Sequence, residues 1–150
     1  MAYWLVKSEI NVYSIDDLKR DGHTFWGGVR NYQARNYLRD MRKGELVLYY
    51  HSVVDPIGIV GLAKVKKEAF PDPTQFDKNS EYFDEKATKE APRWFCPELE
   101  FVKKYKNLIA PSELRKISGL KGMALLQKRS RLSVQPVTDK EFEIIMGLAE

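Results

Sequence analysis

Apolar positions along this chain switch between a period of two and a period near 3.6, and the switches outline its elements. Residues 3–7, Tyr-Trp-Leu-Val-Lys, are aromatic and β-branched and predict a first strand. Ser14 offers an N-cap for a short helix through Lys19, with Ile15 and Leu18 spaced to face inward. Ala34, Tyr37, Leu38 and Met41 then stand at i, i+3, i+4 and i+7, while Arg35, Asn36, Arg39 and Arg42 lie largely off that stripe, so a second helix is predicted to end near Gly44.

Two apolar runs, residues 46–50 and 57–65, flank a loop containing Asp55-Pro56 and predict a hairpin whose strands are buried on much of both faces. Pro71, Pro73 and the polar residues to Glu90 predict a long loop without helix. Strand character returns over residues 94–105, a short helix is predicted over 112–117, and a last strand over 131–137. Thr138 and Glu141 form a capping box, after which Phe142, Ile145, Met146 and Ala149 repeat the helical stripe. Five to six strands interrupted by short helices, without regular βαβ alternation, predict an α+β fold with a mixed, curved or barrel-like sheet. Trp26-Gly27-Gly28-Val29 lacks the spacing of a phosphate-binding glycine loop.

Composition narrows the chemistry. The length of 150 residues suits one domain spanning the chain. A single cysteine, Cys96, permits no internal disulfide and no cysteine-based metal cluster, which fits a reducing compartment. No apolar run approaches a membrane span, and the first residues reach Lys7 too early for a secretory signal, so a cytoplasmic or nuclear monomer without membrane contact is expected.

Net charge is only +4, but it is unevenly spread. Residues 68–100 hold nine acidic and four basic side chains, whereas residues 103–131 hold nine basic side chains against Glu113 alone. That second segment, with Lys103, Lys104 and Arg129 as candidate phosphate contacts, reads as a footprint for polyanions or as a solvated basic face.

No arrangement of residues announces catalysis. His23 and His51 lack partners at metal-ligand spacing, and no catalytic residue, metal or cofactor is assigned. A lone histidine at a strand end such as His51 is more often structural, although His51 and Ser52 offer donors and acceptors to a ligand. Trp26 is more informative. It lies beside Gly27-Gly28 and just ahead of Val29, Arg30 and Asn31, so an aromatic plane, a guanidinium and an amide sit together in one loop. Those parts suit stacking and edge recognition of a base, while a tryptophan plugging the core is the competing reading. In residues 131–137, alternation places Arg131, Ser133 and Gln135 on one face, away from Leu132 and Val134.

Six blocks in order give a more specific signal: Tyr3-Trp4-Leu5-Val6-Lys7-Ser8-Glu9, residues 28–36 (Gly-Val-Arg-Asn-Tyr-Gln-Ala-Arg-Asn), Tyr50-His51-Ser52, residues 70–76 (Phe-Pro-Asp-Pro-Thr-Gln-Phe), Pro92-Arg93-Trp94, and residues 130–137 (Ser-Arg-Leu-Ser-Val-Gln-Pro-Val). Through them the chain resembles the EVE family, a PUA-like group. The resemblance implies a PUA-like pseudo-barrel with a cleft for one modified base, methylated or hydroxymethylated cytosine in DNA being favoured. It implies a cleft lined by Lys7, Ser8, Trp26, Val29, Arg30, Asn31, His51, Ser52, Trp94, Ser130 and Arg131. Ile10 and Gly27 depart from the family's usual proline and aspartate. The expected function is nucleic-acid binding through that pocket. RNA binding of the PUA or YTH kind, or an enzyme acting on a modified nucleobase, are the alternatives.

Overall fold

The computed structural model describes residues 1–128 and 131–149. Six strands form one mixed sheet: β1 (Tyr3–Ser8), β2 (His23–Phe25), β3 (Leu46–His51), β4 (Gly58–Pro71), β5 (Phe95–Ile109) and β6 (Val134–Val137), in the spatial order β2-β5-β4-β3-β1-β6. Only β1 and β3 run parallel, and every other neighbouring pair is antiparallel. The helices are α1 (Ile15–Asp21), α2 (Tyr32–Asp40), α3 (Pro111–Arg115) and α4 (Asp139–Leu148), so the expected α+β class holds.

The sheet is packed on both faces, which is why β1 and β3 read as continuous apolar runs. Trp4, Val6, Val47 and Tyr49 point into one core with Ile15 and Leu18 of α1 and Ala34 and Leu38 of α2. Leu5, Leu48 and Tyr50 point into the other, against Leu114 of α3 and Phe142 and Ile145 of α4. The expected capping box forms at Thr138 with Glu141, and the expected N-cap at Ser14 proves to be a second capping box, closed by Asp17.

Several boundaries move. The hairpin's second strand continues to Pro71, and its partner extends from Phe95 to Ile109. Register shifts between Ile59 and Gly61, Leu62 and Ala63, Val65 and Lys67, and Lys67 and Phe70 interrupt this long ladder, a pattern that bends strands. At Gly61 a Cβ would stand 2.5 Å from the Lys103 carbonyl oxygen and 2.8 Å from Ile15 Cδ1, so only glycine permits this approach. Strand β2 is too short to show a period. A 3-10 turn, Pro73–Phe76, stands inside the expected loop, started by Pro73 and capped by Asp72. The last strand covers only Val134–Val137, and because both faces of the sheet are covered, Gln135 is buried instead of joining a solvent-facing polar row.

Candidate nucleic-acid interface

A cavity of about 330 Å³ opens at the end of β1, beside the segment that follows β2. Lys7 and Ser8 enter its wall because β1 ends there, tied by the Lys7 N–H to the Ser133 carbonyl at 2.9 Å. Trp26 and Val29 supply apolar wall, and Ser133 of the expected polar row, with Tyr13 and Phe25, which the sequence did not single out, completes much of the rest. Trp26 is only 9% exposed, and its ring meets Tyr49 edge to face at 5.4 Å. It is both a core residue and part of the cavity wall, so the two readings of this tryptophan merge. Burial also pulls the Lys7 ammonium below the ordinary lysine pKa.

An adjoining cleft of about 480 Å³ shares Lys7, Ser8, Val12 and Ser133 with the cavity and adds Ser52, Val53 and Arg131. The Ser52 N–H donates to the Ser8 carbonyl at 2.9 Å, which holds the end of β3 beside the end of β1. Lys7, Ser8, Trp26, Val29, Ser52 and Arg131 therefore gather around one opening. Arg129 and Ser130 lie outside the described residues.

Four expected site residues are held elsewhere. Arg30 donates from Nε and Nη2 to the Tyr82 carbonyl, from Nη2 to Thr74 Oγ1, and from Nη1 to the Val29 carbonyl and Asp72 Oδ2. These bonds engage all the N–H groups of a guanidinium, leaving none for a base edge. Asn31 caps α2, its side-chain oxygen accepting from the Ala34 N–H at 2.9 Å. Trp94 is not a second wall of the cavity. It stacks on Tyr32 at a centroid distance of 4.9 Å and donates from Nε1 to Asp84 at 2.8 Å.

His51 is buried at the end of β3, and its Nε2 accepts from the Ile15 N–H at 3.1 Å. The neutral ring with its proton on Nδ1 is thus the form that fits, and burial holds the histidine pKa below its ordinary value. In the unfolded chain the ring titrates near 6.5, so between that value and the lower folded one the unfolded state binds the extra proton. Stability contributed by His51 is therefore present above about pH 6.5 and lost as pH falls through the folded value. Urea midpoints measured from pH 7.5 to 5 should fall less steeply in His51→Gln than in the parent; equal slopes would show that this imidazole does not govern the acid response.

Two residues that the sequence did not single out as functional organise the scaffold. Asp72, 1% exposed, accepts at Oδ2 from the Gly28 N–H at 2.7 Å and from Arg30, and at Oδ1 from the Thr74 N–H at 2.9 Å and hydroxyl at 2.6 Å. Burial by itself would raise this carboxyl's pKa, but the bonds from Thr74, Gly28 and Arg30 outweigh it and the pKa lies below the ordinary value. Gln75 is fully buried: its amide NH2 donates to the Asp72 and Trp94 carbonyls, both at 2.8 Å, and its oxygen accepts from the Arg93 and Trp94 N–H groups at 2.9 and 3.0 Å. Together they lock residues 70–76 to the Trp26–Arg30 segment and to Trp94. Gly28 permits the close fit, having φ +79° and no side chain to strike the Tyr82 ring. The sequence signal for this brace is Asp72 followed by Pro73 and Thr74, an N-cap with proline at the first turn.

The candidate phosphate contacts Lys103 and Lys104 are exposed but adjacent on β5, so they point to opposite faces. Lys104 lies on the α1 side, its Nζ 2.8 Å from Asp16, and Lys103 pairs in register with Leu62 of the opposite core.

The EVE domain family matches residues 2–148. Thymocyte nuclear protein 1 of Gallus gallus is 43% identical over 168 aligned residues, covering 99% of this chain and 69% of that protein. A solved Pseudomonas syringae protein superposes with a TM-score of 0.95 at 46% identity, covering 99% of this chain and 100% of that one. The human THYN1 protein, solved in complex with DNA containing 5-methylcytosine, superposes with a TM-score of 0.91 at 41% identity, covering 100% of this chain and 98% of that one. Family match, sequence identity and superposition each extend over nearly the whole length, and the chain belongs to the EVE domain family.

Proposed function

We propose that the protein binds DNA and holds one modified base, with 5-methylcytosine favoured, in the cavity walled by Trp26, Val29, Lys7 and Ser8. The observation that carries this reading is an aromatic-walled cavity of about 330 Å³ beside the exposed Arg131, in a chain that superposes with a TM-score of 0.91 on a protein solved with 5-methylcytosine DNA. That volume is near the lower end of ordinary ligand pockets, a size for one planar group. Trp26 offers a stacking surface, Val29 an apolar neighbour for a methyl group, and Lys7 and Ser8 polar atoms for a base edge. A methyl group in an apolar pocket supplies about 1–3 kcal/mol of discrimination, so selectivity for methylated DNA is modest.

The protein acts by binding and not by turnover in this reading. His51, on the wall of a separate cavity, uses Nε2 within the fold, and His23 stands exposed with Nδ1 3.4 Å from Glu98. A panel of methylated, hydroxymethylated and unmodified strands, as DNA and as matched RNA, tests the reading. Preference for a modified DNA strand is expected, and equal affinity for every strand would overturn it.

Phosphate contact adds a salt dependence. Log affinity should fall linearly with log salt concentration, and Arg131→Ser should reduce the slope by about one. Since Lys103 and Lys104 face opposite ways, Lys104→Ala should flatten the slope and Lys103→Ala should leave it nearly unchanged. Titrations at several salt concentrations give each slope.

A further inference from the structure

We propose that Val53 is a wedge that enters duplex DNA where the captured base has left the stack, so that the protein takes its base from double-stranded DNA. This inference rests on the base-pocket reading above. Val53 has φ +68°, a left-handed conformation that a β-branched residue adopts only under constraint. The constraint is a three-residue turn in which the Val54 N–H donates to the Ser52 carbonyl at 2.8 Å. The turn is anchored in place, since the Ser52 N–H is bonded to the Ser8 carbonyl at the pocket wall.

The result is an apolar side chain 73% exposed on the cleft that shares Lys7, Ser8 and Ser133 with the base cavity. Val12, 65% exposed, lines the same cleft, and Arg131 supplies positive charge beside it. Val53 belongs to neither hydrophobic core, so the turn holds its side chain out of the protein's own packing. A strained residue at a binding site is a reason to look for function there. Extruding a base from a duplex unstacks its neighbours and leaves a gap, and apolar side chains are the groups that fill such gaps in bent or opened DNA. A single strand has no such gap, so the wedge helps only on a duplex.

The test compares Val53→Gly with Val53→Ile and the parent. Glycine accepts the positive φ without strain, so Val53→Gly should fold at least as well as the parent. The probes are a duplex carrying one 5-methylcytosine next to 2-aminopurine, and its single methylated strand. Val53→Gly should bind the duplex about tenfold more weakly and lose the 2-aminopurine fluorescence rise, with single-strand affinity unchanged and Val53→Ile behaving like the parent. Duplex affinity of Val53→Gly within twofold of the parent, or equal losses on duplex and single strand, would overturn the wedge while leaving the pocket reading in place. A parent protein that binds neither probe would overturn both.

Discussion

Replacing Asp72 with alanine is expected to destabilise the protein by about 3–5 kcal/mol, the usual cost of breaking a buried, hydrogen-bonded ion pair from one side. The carboxylate serves the Gly28 N–H, both donors of Thr74 and the Arg30 guanidinium at once. Without it, Arg30 loses its counter-charge at 3.2 Å, and the segment carrying Trp26 loses its attachment to residues 72–74. Any variant that remains folded should therefore also lose base binding, although Asp72 is not on the wall of the cavity assigned to the base. Asp72→Asn should be milder, because an amide oxygen still serves one donor pair while its NH2 faces the other.

The same carboxylate predicts an acid response. Its folded pKa is depressed, so its stabilisation is present above the unfolded value of about 3.9 and lost as pH falls through the folded value. Thermal melts of the parent, Asp72→Ala and Asp72→Asn at neutral pH, with urea midpoints from pH 5 downward, check both claims. A midpoint for Asp72→Ala close to that of the parent at neutral pH would refute the bracing role.

The second large effect is expected at Trp26. Because this ring is 9% exposed and packed on Tyr49, truncation to alanine should cost about 3–5 kcal/mol of stability. Base stacking on an aromatic side chain is worth about 1–3 kcal/mol, so loss of the ring should also weaken oligonucleotide binding by roughly tenfold to a hundredfold. One variant that loses both cannot separate the two roles. Trp26→Phe keeps a buried ring with a smaller stacking surface. It should remain folded, bind severalfold more weakly, and retain most of its salt-sensitive background binding. Trp94→Ala offers a contrast, since Trp94 packs on Tyr32 and away from the cavity. It should lose stability, and where it stays folded its preference for a modified base should persist. Melting curves and fluorescence anisotropy on the same samples decide between these outcomes.

Only family resemblance grouped Lys7, Ser8, Trp26 and Val29, which line one cavity in the structure, since they come from β1 and from the segment after β2. Local pattern could show that Trp26 sits in an open, glycine-flanked segment, but not that its ring would reach Tyr49 of β3. Arg30, Asn31 and Trp94 illustrate the opposite case. Each has a side chain suited to bases, and each is occupied by a partner within the fold: Asp72 and Tyr82, the Ala34 N–H, and Asp84 with Tyr32. Residue type states what a side chain is able to bind. It does not state which partner is nearer.

What the sequence determined by itself was governed by short-range rules. The periods of α2 and α4, the N-cap at Ser14, the capping box at Thr138, and the doubly buried runs of β1 and β3 follow from side-chain direction and local hydrogen bonding, and so did the α+β class. The tertiary structure alone decided the parallel pairing of β1 with β3, the burial of Gln135, the opposite facing of Lys103 and Lys104, and the brace of Asp72 and Gln75 across residues 28–94. These depend on contacts between residues far apart in the chain, where a buried donor or acceptor takes whichever partner the packed sheet brings within reach.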